Sequence, residues 1–194
     1  MTTPDSEFPL IETKRLRLQP LTTEYTDFVF RHFSNPAVTQ YMLDEPPVLD
    51  YTQAQQIVQF YAEPARKTYN RWVIVQKADA QPIGTCGYHK WDKRYFRAEI
   101  GYDLDPSFWG RAYMTEVLNA VIANGFERMK LNRIDALVYV ENERSIRLLQ
   151  RLGFTQEGLL RDYFCLNAKF YDHYIFSLLC REWNPLDFNQ NKQD

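Results

Sequence analysis

Past Pro106 the hydrophobic period of the chain changes, and that switch limits the folds open to it more than any other feature. Before it, RWVIVQ (71–76), IGTCGYHKW (83–91) and FRAEIGYDL (96–104) have strand length and strand composition. Their connections are too short for crossovers, which predicts an antiparallel meander. After it, Val117, Leu118, Val121, Ile122 and Phe126 recur at helical spacing, predicting an amphipathic helix over about Ala112–Arg128. RIDALVYV (133–140) is apolar enough for an interior strand. NERSIRLLQRLGF gives a short helix ended by Gly153, and two strands over about 155–165 and 170–180 close the chain. Upstream, IETKRLRLQPL alternates Leu16 and Leu18 with Arg15 and Arg17 as a first strand. A helix capped by Thr22 or Thr23 runs to about Asn35, where Pro36 stops it. A second spans Tyr51 to about Glu63, before Pro64. The order β-α-α-β-β-β-α-β-α-β-β predicts a mixed α/β or α+β sheet with helices on its faces.

With 194 residues, 45% of them hydrophobic and 15% aromatic, the chain can bury a substantial core. We expect one domain over 1–194, its core about 10–183 and polar tails at 1–9 and 184–194. Lys and Arg number 23 against 25 Asp and Glu, a balance that argues against a broad nucleic-acid surface. No apolar run reaches 18 residues and MTTPDSEFPL lacks a basic, apolar leader, so neither a membrane span nor a signal peptide is expected. Cys86, Cys165 and Cys180 are odd in number and widely spaced, and His32, His89 and His173 are scattered. A disulfide framework or a zinc site is therefore not expected, and a reducing cytoplasm fits.

Three constellations carry chemistry. In DPSFWGRAYMTEV (105–117) a turn and a glycine lead into a helix start, where free backbone N–H groups and the helix dipole favour an anion such as a pyrophosphate, with Arg111 adding charge. It is neither a dinucleotide fingerprint nor a P-loop, and an ordinary strand–turn–helix junction is the alternative. Asn142 follows an interior strand, and Ser145 lies beside the apolar stripe of Leu148, Leu149 and Leu152. The alternative there is a plain cap and a back-bonded serine. On 96–104, Arg97, Glu99, Gly101 and Asp103 share one face, where a carboxylate beside the gap at Gly101 can act as a base or simply pair with a cation.

These pieces occur together in the GNAT superfamily of N-acetyltransferases. The chain resembles most closely the branch of ribosomal-protein alanine/serine N-acetyltransferases, on ETKRLRLQP, AEIGYDLDPSFWGRAYMTEV and NERSIRLLQRLGFTQEG in that order. The resemblance implies a mostly antiparallel sheet of about seven strands, splayed between the fourth (96–104) and the fifth (133–140). It also implies acetyl-CoA as co-substrate and an amine acceptor; no metal is expected, and a monomer or homodimer is the expected assembly. The acetyl-CoA motif maps onto Trp109, Gly110, Arg111, Ala112, Tyr113, Met114, Thr115 and Glu116, with Ala112 in place of the usual Gly and Met114 in place of a small residue. A left-handed Ala112 would be strained. Tyr102, Asp103 and Leu104 would offer main chain to the pantetheine arm in the splay, Asn142 its side chain, and Arg147 or Arg151 would reach a phosphate.

The resemblance transfers the catalytic positions unevenly. Leu149 stands where many members have a tyrosine acid, and Ser145 matches the branch's serine. Phe164 stands where the branch has a glutamate base, by alignment on the turn at Asn167 and Ala168. Glu99 is then the leading base, with Asp162 and His89 as weaker candidates. Tyr41, Met42, Tyr51, Phe60, Tyr61, Phe164 and Tyr171 are expected to line the acceptor site. Three functions stay open: acetylation of a protein N-terminal α-amine, of a small amine such as an antibiotic, polyamine or amino acid, or a weakly catalytic acyl-CoA-binding module.

Overall fold

The computed structural model describes residues 8–62 and 68–184. Eight strands form one sheet in the order β1-β2-β3-β4-β5-β6-β8-β7. They are β1 (Ile11–Glu12), β2 (Leu16–Pro20), β3 (Trp72–Gln76), β4 (Pro82–Asp92), β5 (Arg97–Leu104), β6 (Arg133–Tyr139), β7 (Thr155–Leu166) and β8 (Lys169–Leu179). Every pairing is antiparallel except β5 with β6. The helices are α1 (Thr26–Phe33), α2 (Pro36–Thr39), α3 (Tyr51–Ala62), α4 (Tyr113–Glu127) and α5 (Glu143–Arg151).

Strand β3 shows how the sequence builds two layers of helix on one sheet. Trp72 and Ile74 point into a core with α4 and α5, while Val73 and Val75 point into a second core with α1 and α3. A strand covered on both faces must be apolar at both parities, as WVIV is. On α4, Val117, Leu118, Val121 and Ile122 are fully buried. Each such side chain stabilises the fold by roughly 1.5–3 kcal/mol relative to exposure. Gly125 lets α4 settle on the sheet, because a Cβ there would lie 2.3 Å from the Tyr88 hydroxyl, which itself donates to the Val121 carbonyl.

The departures from the sequence reading are local. The first strand breaks into β1 and β2 around Thr13, which brings the count to eight. Pro36 does not merely stop a helix: α1 ends at Phe33, Asn35 accepts from the Ala37 N–H, and Pro36 opens α2. Proline suits a first helical position because its missing N–H would have had no partner there. Thr22 precedes a short 3-10 turn without capping it by its side chain. The expected end of α3 at Glu63 and Pro64 lies outside the described residues.

The feature that positions the site is a short pairing. β5 and β6 are in register only at Arg97–Arg133, Ala98–Ile134 and Glu99–Asp135. Beyond Glu99, β5 keeps β4 on one side and β6 keeps β8 on the other, but they part from each other. The expected splay is therefore present, between what are here the fifth and sixth strands.

Candidate active site

A cavity of about 850 Å³ opens from this wedge. Glu99, Tyr102, Asp103, Leu104, Trp109, Gly110, Ala112, Tyr113, Met114, Thr115, Asn142, Ser145 and Arg151 all line it, so three separate sequence segments converge there. Arg111 does not line it; its guanidinium lies 5.6 Å over the ring of Phe108, which does. Arg147 lines the rim and pairs with Glu143 at 2.8 Å.

At one end lies the turn that opens α4. Gly110 (φ 73°) and Ala112 (φ 56°) are both left-handed. Nothing lies within 4 Å of a Cβ at Gly110, so that backbone faces open space. Ala112 is the strained case anticipated from the sequence, and an L-residue there costs on the order of 1–2 kcal/mol. Trp109 anchors the turn by donating from Nε1 to the Leu104 carbonyl at 2.9 Å, and Arg144 lies 4.1 Å over its ring.

At the middle of the wedge, α5 meets β5. Asn142 caps α5, its Oδ1 accepting from the Ser145 N–H at 3.2 Å. That leaves its amide N–H groups for a ligand. The Ser145 hydroxyl is not turned back on its own helix. It bonds the Tyr102 hydroxyl at 2.6 Å, across 43 residues of sequence. Burial pushes the Tyr102 phenol far above its ordinary value, so it remains a neutral O–H donor. The sequence reading assigned Tyr102 main chain only. Alternation did place its side chain opposite Glu99, but no local signal paired it with Ser145.

Asp103 is also more than backbone. Its buried carboxylate accepts from His32 Nε2 at 2.6 Å, the Thr85 N–H at 2.8 Å, Thr85 Oγ1 at 2.5 Å and Arg71 at 3.2 Å. Burial alone would raise this carboxyl, but the charges of His32 and Arg71 and the hydrogen bonds outweigh it and hold it below its usual range. Arg71 continues the chain to His89 Nε2 at 3.1 Å. Burial, with the cations Arg71 and Lys90 nearby, depresses the His89 imidazole to about 3. His89 is therefore neutral and a very weak base.

The other sequence-derived base candidates separate clearly. Asp162 does not line the cavity; its N–H is held by Asp172 and its backbone is left-handed at a strand irregularity. Glu99 does line the cavity, paired with Lys90 at 2.9 Å. One group was missed. His173 lines the cavity, with its Nδ1 3.2 Å from the Tyr171 carbonyl. A carbonyl only accepts, so Nδ1 carries the proton and Nε2 keeps its lone pair. Burial lowers this imidazole below its ordinary value, so the ring is neutral at neutral pH, with Nε2 bare. It packs against Phe164 at 4.8 Å, beside the position where the branch's glutamate is missing.

Of the residues expected to line the acceptor site, Tyr41, Met42 and Phe164 line the cavity, with Tyr139 joining them. Tyr51, Phe60 and Tyr61 do not. α3 turns Tyr51 to Asp27 on α1, packs Tyr61 against the second core under Arg71, and leaves Phe60 partly exposed and stacked on Tyr69. Tyr171 packs behind Tyr139 at 5.7 Å rather than on the cavity. Among the described residues no cluster of His, Cys, Asp and Glu could hold a metal ion.

The acetyltransferase (GNAT) domain family matches residues 15–155. The chain belongs to the GNAT acetyltransferase family. The uncharacterized N-acetyltransferase p20 of Bacillus licheniformis is 41% identical over 172 residues, covering 88% of this chain and 96% of that protein. The [ribosomal protein uS5]-alanine N-acetyltransferase of Escherichia coli is 34% identical over 104 residues, 53% of this chain and 54% of that one. A crystal structure of spermidine N-acetyltransferase from Vibrio cholerae with CoA and spermine shares the fold, with TM-score 0.77, 20% identity, and coverage of 87% and 97%. This GNAT chain is an acetyl-CoA-dependent N-acetyltransferase.

Proposed function

We propose that the acceptor is the N-terminal α-amine of a protein, such as a ribosomal protein. The observation that carries this is the state of the acids lining the cavity. Among the described residues Asp103 is matched by Arg71 and His32, and Glu99 by Lys90, which leaves Asp44 as the cavity-lining carboxylate without an ion pair, though Arg71, Lys90 and His173 feel its charge. One open carboxylate serves one ammonium group; a polyamine needs several. The imidazoles point the same way. A site with weak bases suits an amine already partly free at neutral pH, and an α-amine (pKa about 7.7–8.0) meets that condition while a lysine amine (about 10.4) does not. The partial likeness to an alanine N-acetyltransferase supports the same choice.

On this reading acetyl-CoA enters with its diphosphate at Trp109–Thr115, near Arg151, and its pantetheine arm between β5 and β6. The β5 edge at Tyr102–Leu104, beyond its pairing with β6, and the amide of Asn142 meet that arm. The amine lone pair attacks the thioester carbonyl, whose π electrons move to oxygen, where a β5 backbone N–H stabilises the developing charge. The nitrogen's proton leaves to Glu99, directly or through water; His173 is the second candidate. The carbonyl reforms, the C–S bond breaks and the thiolate departs toward Ser145. A serine alcohol is a poor acid, but Ser145 Oγ lies 2.6 Å from the neutral Tyr102 phenol, and when the phenol is the donor it polarises the serine O–H toward sulfur. The three free thiols, Cys86, Cys165 and Cys180, fit a reducing cytoplasm as the setting.

The test is thiol release from acetyl-CoA with alanine- and serine-starting peptides, an N-blocked lysine peptide, spermidine and simple primary amines. The peptides with free α-amines should give kcat/KM at least tenfold above spermidine. A preference for spermidine or a small amine would overturn the acceptor assignment and leave the chemistry standing.

A further inference from the structure

The start of β2 is tied to the turn that opens α4, although about a hundred residues separate them in sequence. Glu116 stands in the first turn of α4. Its Oε1 accepts from Thr13 Oγ1 at 2.5 Å and from the Arg15 N–H at 2.7 Å, and its Oε2 from Arg15 Nε at 2.6 Å. The guanidinium then reaches further: Nη1 donates to the Arg111 carbonyl at 3.0 Å, and the group lies 4.3 Å over the Tyr113 ring. One side chain thus touches residues 111, 113 and 116, both limbs of the turn.

The consequence is directional. In a trans peptide the C=O and the following N–H point opposite ways. Holding the Arg111 carbonyl against Arg15 turns the Ala112 N–H away from Arg15. The next residue is then left-handed, a conformation that an alanine leaves unless its surroundings fix it. The clamp also manages charge. Glu116 is an anion at a helix start, where an anionic ligand would be repelled by it. Three donors take its two oxygens, and the Arg15 cation offsets its charge.

We propose that Arg15 is a positioning residue for coenzyme binding: it fixes the 110–113 backbone that receives the diphosphate, and acts through that backbone rather than by its own charge. This rests on the reading of Trp109–Thr115 as the diphosphate turn. It gives one physical reason for the N-terminal TKR and the TE of the α4 start to occur in one chain, since the two segments form a single device.

The test compares calorimetric binding of CoA with NMR-monitored binding of pantetheine, which lacks the diphosphate and nucleotide, in the wild-type chain, Arg15→Ala and Arg15→Lys. Arg15→Ala should weaken CoA about tenfold, as for one or two lost hydrogen bonds. Arg15→Lys should lose nearly as much, because an ammonium cannot span Glu116 and the Arg111 carbonyl as the guanidinium fork does. Pantetheine affinity should stay within twofold in both. Unchanged CoA binding in Arg15→Ala overturns the proposal. So does wild-type affinity in Arg15→Lys, which would mean that charge alone matters, or an equal loss for pantetheine, which would mean general damage. Should Arg15→Ala not fold, Arg15→Lys, which keeps an ion pair with Glu116, makes the same comparison. A wild-type chain that binds CoA no tighter than pantetheine would refute the diphosphate turn itself, a different failure.

Discussion

Replacing Asp103 by asparagine keeps the shape of the side chain and removes its charge. In the native chain that carboxylate accepts four hydrogen bonds, from His32, Arg71 and Thr85, at 3% side-chain exposure. Asparagine has one acceptor oxygen, and its amide N–H groups would face other donors. Arg71, itself only 14% exposed, would lose its counter-ion. Breaking one side of a buried ion pair costs roughly 3–5 kcal/mol. For a chain of this size, each kcal/mol moves Tm by about 2–4 °C, so Asp103→Asn should lower Tm by about 10 °C. Adding Arg71→Met should recover part of that, because the orphaned cation is the main cost. The pH dependence follows with a definite sign. The Asp103 carboxyl is held below its unfolded value, so its contribution is present above about pH 4 and fades as pH falls through the native value. Asp103→Asn should therefore flatten the acid limb of stability. Urea and thermal unfolding followed by circular dichroism measure both effects. A Tm change under about 3 °C, or an unchanged acid limb, would refute the reasoning.

The remaining expectations concern the cavity. His89 is held neutral with a native value near 3, below its unfolded 6.5, so stability should fall as pH drops between those values, and His89→Gln should flatten that window in urea midpoints. Ala112→Gly releases a left-handed alanine but frees the unfolded chain, leaving a net gain of about 0.5 kcal/mol and a Tm rise of about 1–2 °C by calorimetry. Tyr102→Phe should lower kcat about tenfold while CoA affinity stays within twofold, and Ser145→Ala should do the same; the double variant should match either single one, whereas additive losses would contradict a shared role. Glu99→Gln should reduce kcat about a hundredfold. A larger loss in His173→Gln would move the base to His173.

Much of the fold was legible because its signals are local. The switch from period 2 to period 3.6 at Pro106 marked β5 and α4, and RWVIVQ read as a strand, though its burial on both faces appeared only in the structure. Asn167 and Ala168 read as a hairpin turn, and both are left-handed in the structure. What could not be read is pairing across the sheet. Asp103 looked like one polar residue on an alternating strand, and nothing local joins it to His32, 71 residues earlier. The Tyr102–Ser145 bond and the Arg15 clamp are hidden for the same reason. His173 was passed over because a lone histidine in a strand has no spacing to mark it, and only the β6–β8 register brings it opposite Tyr139. The misplaced acceptor aromatics failed on direction: the sequence placed Tyr51, Phe60 and Tyr61 on α3, but not which way α3 turns them.

The parting of β5 and β6 bears on regulation. If the wedge takes the pantetheine arm as proposed, it grips amide groups that acetyl-CoA and free CoA have in common. Most of the binding free energy is then blind to whether the acetyl group is still attached. The spent coenzyme should compete with the fresh one, with an inhibition constant close to the KM for acetyl-CoA. Where total coenzyme exceeds KM, turnover would follow the ratio of acetylated to free coenzyme rather than the concentration of either, so that the enzyme would respond to the acetyl charge of its surroundings without a separate effector site.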